Sequence, residues 1–405
     1  MMFVNKNEKS SKKELAIFGA RPLYSEPLHV GCPNIGNKDV LFERLNDILE
    51  RKWLTNNGKY VQEFESGIQV ITGAKHCIAM TNGTIALEIL IRATGLTGEV
   101  IVPSFTFAAT PHALQWQGIT PIFCDLDPAT HNIDEKKIEE LITPKTSGII
   151  GVHIWGRPCN TKQLSSIAEK HNLKLIYDAA HAFGCSLNGK MIGNFGEAEI
   201  FSFHATKFLN AFEGGAVVTN NSELAEKIRL MKNFGFGPGF DNVVHVGTNG
   251  KMTEVSAAMG ITSLESMNDF IAVNKKNYEF YQRGLAGISG VKLLSYSEND
   301  KNNYQYVILE IDAALAGLSR DVLIKILHAD NILARRYFHP GCHRIEPYKS
   351  SSPNTYLRLT ETEALTRKVL CLPTGTAVSE IDISRICDQI RLAVDCSEDI
   401  KRSMY

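Results

Sequence analysis

Seven short runs rich in Val, Ile and Phe recur between residues 76 and 219, and most intervals between them carry apolar residues at helical spacing. The runs cover 76–80, 99–102, 121–124, 148–153, 174–178, 198–203 and 215–219. They are apolar at successive positions rather than alternating, which suits strands buried on both faces. The intervals predict helices over 85–93, 108–117, 135–141, 161–171 and 223–234. Two earlier helices are predicted over 37–53 and 60–72, parted by an Asn-Asn-Gly turn at 56–58. Strands alternating with helices predict an α/β fold on a largely parallel seven-stranded sheet.

Beyond residue 234 the pattern gives way to glycine-rich sequence, GFGPGFDNVVHVGTNG. A helix is then predicted from near Thr253, with Ala257, Ala258, Ile261 and Leu264 on its apolar face and Glu254 in its first turn. A long helix over 268–285 leads into a smaller C-terminal α/β domain, with an alternating strand in YQYVILEID and a helix from near Ser319. The expected organisation is a mobile arm over 1–15, a large domain with its N-terminal helices over 16–267, and a small domain over 268–405.

Composition narrows the class without naming a chemistry. Forty-three Lys and Arg against 44 Asp and Glu leave a net charge of −1, so no broad attraction to nucleic acid or acidic membrane is expected. No apolar stretch is long enough to span a bilayer, and the polar start does not read as a secretion signal. The nine cysteines are scattered and often sit in apolar runs, as reduced thiols of a cytoplasmic protein would. His339, Cys342 and His343 are spaced as metal ligands can be, but no second Cys/His pair completes a zinc site, so no metal is expected.

Three segments carry candidate chemistry. Thr81-Asn82-Gly83-Thr84 ends a strand and opens a helix, where free amides, the Thr84 hydroxyl and the bare Gly83 backbone could hold a phosphate. By itself it also fits an ordinary helix cap. In LKLIYDAAHAFG, Asp178 falls at the carboxyl end of a strand, where it could bind a protonated pyridine nitrogen or simply cap a helix. In AEIFSFHATKFLNAFEGGAVVTN, Ser202 and His204 leave a strand and Lys207 follows on a loop, placed either to form an imine with an aldehyde cofactor or to sit in solvent. The order of the three favours a single site.

Together these segments resemble the DegT/DnrJ/EryC1/StrS sugar aminotransferases, within the fold-type-I aspartate-aminotransferase superfamily. The resemblance runs from Leu23 onward through TNGTIAL, VPSFTFAAT, DAAHAFG, SFHATKFLNAFEGGAVVTN, GTNGKMTEVSAAMG and RRYFHPGCHRIEPY. It implies pyridoxal 5'-phosphate as cofactor, with pyridoxamine 5'-phosphate as the form carrying the amino group between half-reactions. It assigns Lys207 as the covalent carrier of the cofactor and Asp178 as the partner of the pyridine nitrogen. Gly83, Thr84 and Ser202 match the phosphate cup, Phe107 the residue stacked on the ring, and His181 a cofactor contact. His339 and His343 fall on the substrate side. A related branch that carries histidine in place of this lysine performs dehydration, so Lys207 favours amino transfer. One departure is Asn160 in HIWGRPCN, where relatives carry aspartate; it is expected to affect a turn and helix cap.

The reaction implied is a ping-pong transfer of the amino group of L-glutamate to a nucleotide-linked keto-sugar, with a dTDP-keto-6-deoxyhexose preferred. The resemblance also implies a homodimer with shared sites, in which Asn249 reaches the neighbouring subunit's phosphate and Ala257, Ala258 and Gly260 help form the interface. Two other readings remain open at this level: a PLP-binding regulator without turnover, and a nucleotide-sugar binding module.

Overall fold

A computed structural model describes residues 11–239 and 241–404. All seven apolar runs become strands of one sheet: β1 His76–Met80, β2 Glu99–Pro103, β3 Thr120–Cys124, β4 Thr146–Val152, β5 Lys174–Asp178, β6 Ala198–Ser202 and β7 Gly215–Thr219. Their order is β1-β7-β6-β5-β4-β2-β3. Every neighbouring pair from β6 to β3 is parallel, while β7 runs antiparallel to both β6 and β1. The carboxyl ends of β1 to β6 and the amino end of β7 therefore meet along one edge, where ligand sites of open α/β sheets form.

The continuous apolar runs follow from cores on both faces. Cys77 and Ala79 of β1, with Ala216 and Val218 of β7, enter one core beside Phe64, Ile68, Ala257 and Ala258. Ile78, Met80 and Val217 enter the other beside Leu87, Leu90 and Ile228. Successive side chains point to opposite faces, so only an unbroken run satisfies both layers. The layers are built by helices α1 Lys38–Arg51, α2 Lys59–Thr72, α3 Gly83–Thr94, α4 Ala109–Gln115, α5 Thr161–Lys170, α6 Ser222–Met231, α7 Glu254–Glu265 and α8 Met267–Leu285. Asn160 is the N-cap of α5, its side chain accepting the Gln163 N–H at 3.3 Å, so the departure noted in the sequence serves the cap.

Two expectations change. The segment expected as a helix over 135–141 forms two 3₁₀ turns, Glu135–Lys137 and Glu139–Leu141. The Asp134 cap on the Lys136 N–H fixes a tighter turn there. The small residues of α7 pack within the chain, not at a subunit boundary: a Cβ on Gly260 would lie 2.6 Å from the Phe64 ring, and Ala257 and Ala258 are fully buried. Next to them the Glu254 carboxylate accepts the Tyr60 and Val61 N–H groups at 2.9 and 3.2 Å. It thereby caps α2, whose own N-cap residue is Gly58.

The C-terminal unit holds three antiparallel strands, β8 Val291–Leu293, β9 Val307–Ile311 and β10 Val369–Leu372. They share a core with α8 and the helices Arg320–Ala329 and Glu380–Asp395. The chain's N-terminal stretch joins this unit. Leu15 is fully buried in its core, Ile17, Phe18, Leu23 and Tyr24 pack against it, and Leu28–His29 pairs with Ile332–Leu333. Of the expected mobile arm, residues 1–10 lie outside the described residues, and Ser11 caps a short turn that delivers Leu15. Among the described residues, no helix is long and apolar enough to cross a membrane.

Candidate active site

A cavity of about 500 Å³ opens at the carboxyl edge of the sheet, and segments from β1, β2, β5, β6 and the C-terminal unit close around it. Its floor is the turn from β1 into α3. Asn82 accepts the Ile85 N–H on its side chain at 2.9 Å and the Ala86 N–H on its carbonyl at 3.1 Å. The amides of Gly83 and Thr84, both at the cavity wall, stay outside the helix ladder. Ser202 ends β6 against this turn: a methyl on Gly83 would stand 3.0 Å from its Cβ and 3.3 Å from its Oγ.

Asp178 ends β5 and is buried at the cavity wall. Thr110 donates its hydroxyl to Oδ2 at 2.8 Å, and the Ala180 N–H donates to Oδ1 at 3.1 Å. Burial pushes this carboxyl up, against the pull of those two hydrogen bonds and of the Lys207 ammonium. Lys207 sits on a turn closed by its own N–H to the His204 carbonyl at 2.8 Å. Burial drives its amine down to about 8, with Asp178 opposing, so an uncharged nucleophile is within reach near neutrality.

The walls are aromatic. His181 is buried, with Nδ1 accepting the Trp155 N–H at 3.2 Å, which leaves the ring proton on Nε2. Burial holds this imidazole well below its ordinary value, so it is neutral. Its ring stacks on Phe338 at 5.7 Å, and Phe338 meets Phe107 edge-on at 6.3 Å. The Phe107 ring is 59% exposed at the cavity wall, unlike a core aromatic. At the rim, His204 Nδ1 accepts the Thr206 N–H at 3.2 Å and Nε2 faces Glu213 at 3.4 Å.

The site thus gathers Gly83, Thr84, Phe107, Asp178, His181, Ser202 and Lys207 around one cavity. It does not gather the other three predicted residues. His339 is exposed and outside the cavity lining. His343 is buried between Ser104 Oγ at 2.6 Å and Glu363 Oε1 at 2.7 Å. Cys342 hydrogen-bonds the Thr106 carbonyl, so these three side chains do not converge on a common point. Asn249 is exposed and outside its own chain's cavity.

The family model for the DegT/DnrJ/EryC1/StrS aminotransferases matches residues 37–391, which include every cavity element described above. The chain belongs to this family. It is a fold-type-I, PLP-dependent aminotransferase by architecture. A dTDP-4-amino-4,6-dideoxy-D-glucose transaminase of Shigella dysenteriae is 38% identical over 366 residues, spanning 90% of this chain and 99% of that protein. A GDP-perosamine synthase of Caulobacter vibrioides is 34% identical, spanning 89% and 96%. The crystal structure of DesI in the presence of its TDP-sugar product matches with a TM-score of 0.92 and 45% identity, covering 97% of this chain and 99% of that one.

The residues present fit the cofactor that the family uses. An anion cup of amides and a hydroxyl, a buried carboxylate and an amine of depressed basicity face one space, as a phosphorylated pyridine aldehyde requires. Several residues of the site escaped the sequence reading. Thr110 lies in VPSFTFAAT, four residues after Thr106, and the two hydroxyls meet at 2.9 Å before Thr110 reaches Asp178. Tyr306, Arg335, Tyr337 and Phe338 arrive from the C-terminal unit; the last three open the RRYFHPGCHRIEPY segment of the resemblance, where His339 and His343 rather than these residues were expected at the site.

Proposed function

We propose that this aminotransferase moves the amino group of L-glutamate onto a nucleotide-linked keto-sugar, with a dTDP-linked keto-6-deoxyhexose as the acceptor. The observation that carries the reading is the buried amine of Lys207 facing the same cavity as Asp178 and the α3 amides. Similarity to the Shigella transaminase and to DesI supports the dTDP-sugar, and the 4-amino sugar of the Shigella transaminase favours amination at C4. Arg335 adds support. Its neighbour Arg336 is held by Asp321 at 2.7 Å, whereas Arg335 lines the cavity with no ion pair among the described residues. An uncommitted guanidinium there suits substrates bearing carboxylates or a diphosphate.

Pyridoxal phosphate, when bound, supplies the electron sink that acidifies the donor's α C–H bond and carries the amino group between substrates. The chain's residues do the rest. Gly83, Thr84 and Ser202 would hold the phosphate, Asp178 would keep a proton on the pyridine nitrogen, and Phe107 and His181 would contact the ring. Lys207 anchors the cofactor and, once displaced, takes the proton from the donor's α carbon through Nζ. The exposed Asn249 would complete the phosphate site of a second copy in a two-fold dimer.

Purified protein given L-glutamate and dTDP-4-keto-6-deoxyglucose is expected to form 2-oxoglutarate and amino-sugar in equal amounts. No amino-sugar across dTDP-, UDP- and GDP-linked keto-sugars would reject the acceptor class. For the shared site, mixing Lys207→Ala and Asn249→Ala subunits should restore activity that neither variant shows alone. An active monomer rejects the dimer.

A further inference from the structure

Among the described residues, Lys207 Nζ has one hydrogen-bond partner, the Tyr306 hydroxyl at 3.4 Å. Tyr306 belongs to the C-terminal unit, one residue before β9, so the lysine's partner comes from the far side of the cavity. Its ring is buried against His181, with centroids 4.8 Å apart, and its main-chain carbonyl accepts the Tyr296 hydroxyl at 2.7 Å. The neighbouring Gln305 turns its Oε1 to the Phe208 N–H at 3.2 Å. That bond ties Tyr306's strand to the residue after Lys207, so amine and phenol are held in register by their neighbours as well as by each other.

A phenol suits both charge states of an amine without taking a charge itself. Its oxygen accepts from an ammonium, and its O–H donates to a neutral amine. Burial pushes the Tyr306 phenol well above its ordinary value, so it stays protonated throughout. Burial also brings the Lys207 amine down to about 8, so both of its forms are populated near neutrality. A carboxylate at this place would favour the ammonium and blunt the base; an apolar ring would leave a free amine unheld.

We propose that Tyr306 is a positioning residue for Lys207, holding the free amine through its hydroxyl in both protonation states so that Nζ stays aimed into the cavity while it carries a proton. The proposal rests on the reading of Lys207 as the proton carrier. Tyr306 gains and loses no proton in the cycle. It pivots its O–H from donor to acceptor as Nζ is protonated.

Tyr306→Phe keeps the ring and removes only the hydroxyl. In single-turnover reaction of the cofactor-loaded enzyme with L-glutamate, followed by cofactor absorbance, the variant is expected to convert roughly 10- to 100-fold more slowly, with the glutamate concentration for half-maximal rate unchanged. A second readout does not need turnover. In cofactor-free full-length protein, the pH midpoint for reductive methylation of Lys207, read by mass spectrometry, should fall, because losing the phenol costs the ammonium more than the neutral amine. The melting temperature should stay within a few degrees. Wild-type conversion rates together with an unchanged methylation midpoint would overturn the role. So would slowing that comes only with a loss of thermal stability, since that marks a packing residue. If the wild type itself failed to react with L-glutamate, the proposed function would fall, while the methylation midpoint would still decide whether Tyr306 holds Lys207.

Discussion

Gly215 begins β7 directly behind Gly83, so close that a Cβ on Gly215 would stand 2.6 Å from the Gly83 nitrogen and nearer still to the Asn82 carbonyl. These neighbours are backbone and cannot rotate aside. Gly215→Ala is therefore expected to push the phosphate turn off the sheet, costing about 1–3 kcal/mol of stability and weakening cofactor binding at least about tenfold. Gly83→Ala should be milder, because the nearest atoms there belong to the Ser202 side chain. Thermal melts and a fluorescence titration with pyridoxal phosphate check both; equal effects would show that the backbone clash is not what matters.

Asp178→Asn keeps an oxygen to accept from Thr110 or Ala180 and removes the charge. The glutamate half-reaction should slow by about 10²–10³, the scale of a lost preorganised electrostatic contact, with little change in melting temperature. Stopped-flow absorbance measures it. Wild-type rates in this variant would remove Asp178 from the site.

Lys207→Met should abolish multiple turnover, lowering kcat by more than about 10³ as anchor and proton carrier go together. It also makes a stability prediction of definite sign. The folded amine titrates near 8, below the value of about 10.5 for an unfolded lysine, so between those values the unfolded chain binds more protons. Cofactor-free wild type should thus gain stability relative to Lys207→Met as pH rises from about 8 to about 10.5. Urea melts across that range test it, and a constant difference would contradict the buried amine.

Glu363 ties His343 to the Arg344 and Arg367 guanidiniums. Burial opposes its charge, yet hydrogen bonds from these three hold its carboxyl down to about 2. A depressed carboxyl contributes stability that is present above its unfolded value of about 4.5 and lost as pH falls toward the folded one. Wild type should exceed Glu363→Gln in stability at pH 6, with the gap closing as the pH is lowered from about 4.5 toward 2. Denaturant midpoints follow it; a gap that widened in acid would mean that the carboxylate is not what holds His343.

The strands were legible because a sheet buried on both faces admits only unbroken apolar runs, and that constraint is local enough to be written in five consecutive residues such as His76–Met80. Lys207, Asp178 and the Gly83–Thr84 turn were legible for a related reason: each lies where a strand stops, and one sheet edge collects those stops. What the sequence could not decide was which side chains cross from one unit to the other. His343 has the chemistry of a substrate contact, but packing of its loop on Ser104 and Glu363 satisfies both ring nitrogens away from the cavity. Tyr306 sits in an apolar alternation like any other strand, and only closure of the C-terminal unit over the sheet sets its hydroxyl against Lys207, 99 residues earlier. Ala257, Ala258 and Gly260 announce a close helix approach, yet nothing local says whether the approaching helix is the chain's own. Phe64 supplies the answer by filling the space over Gly260. Periodicity records the burial of a residue; the identity of its partner depends on how whole elements pack, and that is settled only in three dimensions.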